Sequence, residues 1–155
     1  MTGQIEKRLE QLNIVLPQAP APAANYVPWA VTGKLAFIAG QLPLSEGVLR
    51  YAGAVGRDID LDQAKAAARL VALNLIAQVK AAAGGDLDRV KRCVKLGAFV
   101  NCIDGFAQQP QVVNGASDLL VEVFGDSGRH ARFAVGVNAL PLNAAVEIDA
   151  IFELS

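Results

Sequence analysis

The chain has 155 residues, about the size of one domain, and its 14 Lys and Arg against 15 Asp and Glu give a formal net charge of −1. Because this balance comes without a run of basic residues, we expect no nucleic-acid partner. No segment reaches the roughly 20 apolar residues of a membrane span, and the first residues lack the apolar core of a secretion signal, so we expect a cytoplasmic protein without a membrane partner.

The N-terminal part is predicted to form a short helix followed by an extended connector. Apolar residues recur at helical spacing from Ile5 to Leu12, which predicts an amphipathic helix that Pro17 ends. The Pro-rich segment that follows favours an extended, polyproline-like conformation. We therefore divide the chain into an N-terminal helical extension, residues 1–16, and a domain over residues 17–155.

The remaining elements follow from apolar periodicity and from the turn residues between them. In chain order they are a hairpin of strands 27–31 and 34–41 around Thr32-Gly33, surface loop at 45–47 and 53–60, a helix from Asp60 or Asp62 to about Ala83, a strand within 87–101, a helix from about Pro110 to Phe124, and two strands over 130–137 and 145–151. The order is that of an α+β domain, and the strand–helix–strand crossovers imply that some neighbouring strands are parallel. We expect a mixed sheet packed by two helices, with the N-terminal helix in addition.

The last two strands carry the most informative charges. Along the first, Arg132 and Ala134 share one face, because side chains alternate along a strand. Along the second, Glu147 and Asp149 point away from an apolar face. An arginine among small side chains and two carboxylates indicate a charge pocket against the sheet. The alternative, equally compatible with the pattern, is an ion pair that only closes a sheet edge.

The cysteines indicate neither a disulfide nor a metal site. Cys93 and Cys102 lie on one predicted strand, about 30 Å apart at 3.3 Å per residue, whereas a disulfide requires Cα atoms within about 7 Å. With His130 as the one histidine of the chain, no zinc-ligand spacing arises. We expect free thiols, no metal and no other cofactor.

Seven short motifs and single residues follow one another along the chain. They are Tyr26-Val27, Phe37-Ile38-Ala39-Gly40-Gln41-Leu42-Pro43, Val90-Lys91, Asn114, Ala131-Arg132, Leu140-Pro141 and Val146-Glu147-Ile148-Asp149-Ala150-Ile151. In this order and spacing, from about Tyr26 to the C-terminus, the chain resembles the RidA/YjgF family of reactive enamine/imine deaminases. The order of the motifs is more specific than any one of them.

The resemblance implies a fold, an assembly and an activity. It implies the chorismate-mutase-like α+β fold, a homotrimer, and hydrolysis of enamines or imines derived from amino acids to 2-oxo acids and ammonia. Arg132 would hold the carboxylate of the substrate, and Glu147 would position water and move protons. The other positions that match the family's pocket are Tyr26, Ala39, Gln41, Asn114 and Ala134. An apolar content of 53% fits a subunit interface.

Two pocket positions depart from the family pattern. Ala39 stands where the family usually has Ser, and Ala134 stands where many members have Cys. Both departures favour a second hypothesis, a trimeric protein that binds small carboxylates without turnover. Endoribonuclease activity, reported for some relatives, is a third hypothesis, and the missing basic surface counts against it.

Several of these residues also have purely structural interpretations. Tyr26 could be a packing anchor, Asn114 could cap its helix, and Gln41 could make a hydrogen bond at the end of a strand. His130 shares the face of Arg132 if the strand begins that early. We expect the arginine to disfavour the protonated histidine, which indicates a rim residue rather than a base.

Overall fold

A five-stranded mixed sheet with two helices on one side forms the body of the protein. The computed structural model describes residues 3–22 and 24–155. Within them the helices are α1 (Gln4–Gln11), α2 (Leu61–Ala82) and α3 (Gln109–Phe124). The strands are β1 (Trp29–Thr32), β2 (Leu35–Gln41), β3 (Leu44–Ser45), β4 (Val48–Leu49), β5 (Val90–Asn101), β6 (Ala131–Val137) and β7 (Val146–Leu154).

The strand order of the large sheet is β1-β2-β7-β5-β6, with β1 and β6 at its edges. β5 and β6, which α3 connects, pair in parallel, and the other neighbours are antiparallel. The predicted α+β class, the mixed sheet and the parallel crossover are confirmed.

The two faces of the sheet differ because side chains alternate along each strand. On β7 every second residue from Val146 to Phe152 is apolar and at most 2% exposed, and these residues pack with α2 and α3 into the core. The intervening side chains lie on the opposite face, which no helix covers. That uncovered face leaves large apolar side chains in the open: Phe37, Phe133 and Val135 are 41%, 37% and 42% exposed.

Helix α2 begins where its polar signals predict. Asp60 accepts the Gln63 backbone N–H at 2.8 Å, and the Gln63 side chain accepts the Asp60 N–H at 3.0 Å. This reciprocal pair is a capping box, which satisfies two backbone donors at the start of the helix. Asp60 is therefore the cap, and Asp62 is not.

Helix α1 is confirmed, but its end differs from the prediction. It stops at Gln11, well before Pro17. Two residues after its end, Asn13 takes a left-handed conformation with φ 56°. The carboxylate of Asp88 accepts the first two backbone N–H groups of α1 at 2.9 Å each, and Leu9 is 3% exposed. The helix is thus docked on the body. The first two residues of the predicted extension lie outside the described residues.

Two local predictions are wrong in detail. Ser45, predicted as part of a surface loop, pairs with Val48 in the β3–β4 hairpin, whose turn residues Glu46 and Gly47 have positive φ. The first hairpin turns at Gly33 and the residue after it, since Thr32 still pairs within the ladder. The strand predicted within residues 87–101 is confirmed as β5, which begins at Val90 after a 3-10 turn.

None of the helices in residues 3–22 and 24–155 is long and apolar enough to cross a membrane. Cys93 and Cys102 are free thiols, as predicted. Cys93 is buried, and burial raises the pKa of its thiol to about 12. Over the same ranges, no group of three or more His, Cys, Asp or Glu side chains is arranged to hold a metal ion.

Candidate functional site

Arg132 lies on the edge strand β6, with its side chain on the helix-covered side of the sheet. Its register partner on β5 is the buried Leu96. Its Nη1 donates to the Ser117 hydroxyl at 2.9 Å, and its Nη2 donates to the Pro110 carbonyl at 3.1 Å, both on α3. No carboxylate of the described residues lies within 4.0 Å of the guanidinium. Arg132 is therefore a partly buried cation that the described chain does not neutralise.

A hydrogen-bonded chain continues from Arg132 to His130. Ser117 Oγ lies 2.8 Å from His130 Nε2, and His130 Nδ1 lies 2.6 Å from the Gly128 carbonyl oxygen. Burial lowers the pKa of His130 most, the hydrogen bond to Gly128 opposes this, and the charge of Arg132 lowers the pKa further. The predicted disfavouring of the protonated form is confirmed, with burial as its first cause.

Asn114 and Ala134 lie near Arg132. Ala134 shares the strand face of Arg132, two residues along β6. Asn114 lies between Pro110 and Ser117 on α3, four and three residues away, and residues at these spacings are neighbours on a helix surface. Because α3 begins five residues before Asn114, this side chain is exposed in the second turn. Its interpretation as a helix cap is wrong.

Glu147 lies on β7 and points to the uncovered side of the sheet, where its register partner on β5 is Phe99. Its carboxylate lies against the backbone of Gly40, since a Cβ added there would be 2.5 Å from Glu147 Oε2. No basic group of residues 3–22 and 24–155 lies within 4.0 Å of it. Burial first, and then the neighbouring Asp149 carboxylate, raise the pKa of Glu147.

The end of β2 lies beside Glu147 and is irregular. One extra residue between Ile38 and Gln41 shifts the register with β7, which makes a β-bulge. The Ala39 N–H donates to the Pro28 carbonyl at 2.9 Å. The buried Gln41 side chain donates to the Ala39 carbonyl at 2.9 Å and accepts from Gln78 of α2 at 3.4 Å. For Gln41 the hydrogen bond at the end of the strand is confirmed.

Tyr26 lies just before β1 and is 48% exposed. It does not belong to the hydrophobic core, so its interpretation as a packing anchor is wrong. The hydrogen bond between Ala39 and Pro28 ties the segment that carries Tyr26 to the bulge of β2. Tyr26 therefore lies two residues before a backbone contact with this bulge.

The candidate residues form two groups on opposite faces of one sheet. The Arg132 group, with Asn114 and Ala134, lies at the β6 edge on the helix-covered face. Glu147, with Gly40 beside it, lies on the uncovered face, and β5 separates β6 from β7. The Gln41 side chain is buried against α2 and belongs to neither group. One chain therefore does not bring Arg132 and Glu147 together, and the ion-pair alternative is wrong, because neither side chain forms an ion pair within the described residues.

Two cavities of the single chain lie elsewhere. They have volumes of 630 and 940 Å³ and adjoin each other between α2, the β3–β4 hairpin and the connector, with Leu70 and Leu73 in both linings. Neither Arg132 nor Glu147 lines them.

Sequence reasoning missed two residues that shape these groups. Ser117 lies one helical turn after Asn114 and contacts Arg132, but a serine on a helix carries no signal of its own. Gly40 belongs to the strand-end motif, and its role against Glu147 becomes visible only when β2 and β7 are paired.

Comparisons with known proteins agree with this architecture. Residues 6–154 match the sequence model of a family described as YjgF/chorismate mutase-like, putative endoribonuclease. The chain is 48% identical over 155 residues to Protein TCP17 of Trypanosoma cruzi, with 99% of this chain and 96% of that protein covered. It is 50% identical to Atu1372 of Agrobacterium tumefaciens, a crystal structure of unknown function, with a TM-score of 0.91 over 97% of this chain and 92% of that chain. A crystal structure from Shewanella oneidensis, solved as a putative endoribonuclease, is 36% identical with a TM-score of 0.94 over 98% and 100% of the two chains.

Proposed function

Because the chain belongs to the YjgF/RidA family, we propose that it hydrolyses reactive enamines or imines derived from amino acids to 2-oxo acids and ammonia. Arg132 carries the proposal. Its partly buried guanidinium is held by two neutral acceptors and has no carboxylate within 4.0 Å in the described chain. A partly buried cation without a carboxylate partner favours an anionic ligand, and its planar donors match a substrate carboxylate.

Glu147 is the acid/base of the proposed reaction. Water adds to the imine carbon, and the ionised carboxylate accepts one proton from the water and passes it to the nitrogen, which gives a carbinolamine. The carboxylate then takes the remaining hydroxyl proton and delivers it to the nitrogen, so the C–N bond breaks, ammonia leaves and the carbon becomes the ketone of the 2-oxo acid. A carboxyl group whose pKa is raised by burial and by Asp149 is suited to both steps, because it releases and regains a proton closer to neutral pH.

The opposite orientation of the two charged groups supports a site shared between subunits. The uncovered face of the sheet exposes Phe37, Phe133 and Val135, and a second copy would bury such an apolar surface. In the proposed homotrimer each pocket takes Glu147 from one subunit and Arg132 from the next, in a closed ring of identical contacts. Light scattering after size exclusion should then give about three times 16.2 kDa, and a stable monomer would contradict the proposal.

The activity is tested with an imine generated in situ by an amino-acid oxidase, measured as 2-oxo acid formation above the uncatalysed rate. Glu147→Gln should lower turnover roughly a hundredfold while binding of 2-oxo acids changes little. Arg132→Lys keeps the charge but loses the planar fork, so calorimetry should show binding weakened by about 2 to 3 kcal/mol, or about 30- to 150-fold. Glu153→Gln on the same face and Arg129→Lys near the same strand are the matched controls.

The second candidate is a trimeric protein that binds small carboxylates without turnover. It is supported by Ala39 and Ala134, which leave two pocket positions without the Ser and Cys of the family pattern. Binding of 2-oxo acids that depends on Arg132, together with no acceleration of imine hydrolysis by the wild-type protein, would favour it. Cleavage of RNA by the metal-free protein would instead favour an endoribonuclease. A cytoplasmic location stays a prediction, which cell fractionation tests.

A further inference from the structure

We propose that Ser117 and His130 are positioning residues that fix the plane of the Arg132 guanidinium for a ligand carboxylate. The inference rests on the proposed function, because it names the groups that orient the carboxylate anchor of that site. It concerns residues that neither touch the reacting atoms nor belong to the motifs of the resemblance.

The donors and acceptors of Arg132, Ser117 and His130 match one another in a single series. Arg132 can only donate, so Ser117 Oγ accepts at 2.9 Å, and the Ser117 hydroxyl hydrogen is left for a second partner. The atom in place to accept it is His130 Nε2, 2.8 Å away. His130 must then carry its proton on Nδ1, from which it donates to the Gly128 carbonyl at 2.6 Å. Every donor and acceptor in this series of hydrogen bonds has a partner only when the imidazole proton is on Nδ1.

The other neutral tautomer does not fit. With the proton on Nε2, the unprotonated Nδ1 would face the Gly128 carbonyl oxygen at 2.6 Å, two acceptors in contact. A doubly protonated ring would leave the Ser117 hydroxyl hydrogen without the Nε2 acceptor. The hydrogen bond to His130 thus fixes the orientation of the Ser117 hydroxyl, and the fixed hydroxyl in turn fixes the position of Arg132 Nη1.

The position of Arg132 at the edge of the sheet leaves its side chain few neighbours to fix its rotamer. Because β6 is an edge strand, its long side chains have neighbours on one flank only and would sample several rotamers. Ser117 and Pro110 tie the two Nη atoms of Arg132 to α3, which sets the plane of the guanidinium. Of its five N–H groups, these bonds use two, and the remaining three are enough for a bidentate carboxylate.

The first experiment is nitrogen NMR of the imidazole at neutral pH. The chain has one histidine, so one set of ring signals reports on His130 without assignment by mutation. We expect a protonated Nδ1 and an unprotonated Nε2 that accepts a hydrogen bond. Ser117→Ala should move the Nε2 signal toward that of a free acceptor nitrogen and should release the restricted rotation of the Arg132 guanidinium. A protonated Nε2, or an Arg132 signal that Ser117→Ala does not change, would overturn the proposal.

The second experiment measures binding of pyruvate, the probe for a small 2-oxo acid, by calorimetry. Ser117→Ala should weaken binding roughly 10- to 150-fold, the range for one hydrogen bond to a charged group. Ser117→Thr keeps the hydroxyl and should restore binding to within about threefold. Ser127→Ala is the matched control, because this exposed serine makes no side-chain hydrogen bond within the described residues.

A double-mutant cycle separates positioning from a general structural role. If Ser117 acts through the guanidinium, Ser117→Ala should cause no further loss in the Arg132→Lys background, whereas two independent losses would add. Additive losses with the trimer mass unchanged would overturn the proposal. If the wild-type protein binds no pyruvate, the proposed function fails, and the imidazole and guanidinium signals still decide whether the positioning chain exists.

Discussion

Mixing two inactive variants should restore activity if the pocket is shared between subunits. Arg132→Lys removes the anchor and leaves Glu147 intact, and Glu147→Gln does the reverse. In one chain these side chains point to opposite faces of the sheet, with β5 between their strands. A mixed ring can therefore contain a pocket in which each subunit supplies its intact residue.

The size of the recovery follows from the geometry. In a random one-to-one mixture, each pocket has about one chance in two of an intact Glu147 and about one in two of an intact Arg132 from the neighbour, so about a quarter of the pockets are intact. We expect about a quarter of the wild-type rate of imine hydrolysis, against roughly a hundredth for either variant alone. The subunits are mixed by co-expressing the two variants at equal levels with the same tag, so that all assemblies are purified and assayed together.

A second mixture provides the control. Wild-type chains mixed with the Arg132→Lys, Glu147→Gln double variant should retain about a quarter of the activity if pockets are shared, and about half if each pocket lies within one chain. Rates no higher than those of the parent variants in the first mixture, with about half retained in the second, would refute the shared pocket.

Three further outcomes are expected. Gly40→Ala should lower turnover about 10- to 100-fold with little change in Tm, because the added carbon lies 2.5 Å from Glu147 Oε2 and displaces the flexible carboxylate. Gly97→Ala, which crowds Asp149 on the same face, is the control. Equal losses of turnover in the two variants would contradict the role of Glu147 as the acid/base. Asp149→Asn should lower the pKa of Glu147, followed by carbon NMR titration, since one of its two causes is removed; because that pKa is raised on folding, stability should fall as pH rises from about 4 through the folded value, and the variant should show a smaller fall. Asp88→Asn should weaken the cap of α1, cost roughly 1 kcal/mol and speed amide exchange in α1 alone, and unchanged exchange would argue against a docked extension.

The parts of the fold that the sequence predicted are those in which burial repeats along the chain. Strand β7 alternates between core and surface at every residue, and α2 begins at a polar cap and buries a long apolar face. The β3–β4 hairpin escaped prediction because two-residue strands are too short to show alternation. Its turn depends on positive φ at Glu46 and Gly47, which a glutamate does not signal.

For the candidate residues, the sequence predicted which side chains share a face of one strand but not how the strands are arranged. Alternation tells which residues of one strand share a face, and it correctly grouped Arg132 with Ala134 and Glu147 with Asp149. It does not tell which face of one strand continues into which face of another. That relation is set by strand order and register, and the insertion of β5 between β6 and β7 was not available from local pattern.

Splitting the two charged groups across a sheet has a consequence for when the chemistry can occur. A lone chain would expose an anchor without an acid/base on one side, and an acid/base without an anchor on the other. The apolar side chains beside Glu147 lie on the face that a neighbouring copy would cover, so the contact that buries them is the contact that would complete the pocket. Assembly would bury Glu147 further and so raise its pKa above the already raised value in one chain. The positive charge of the incoming Arg132 would lower the same pKa. The larger of the two effects determines whether Glu147 is protonated or ionised before substrate binds. The carbon NMR titration of the assembled protein measures the resulting pKa directly.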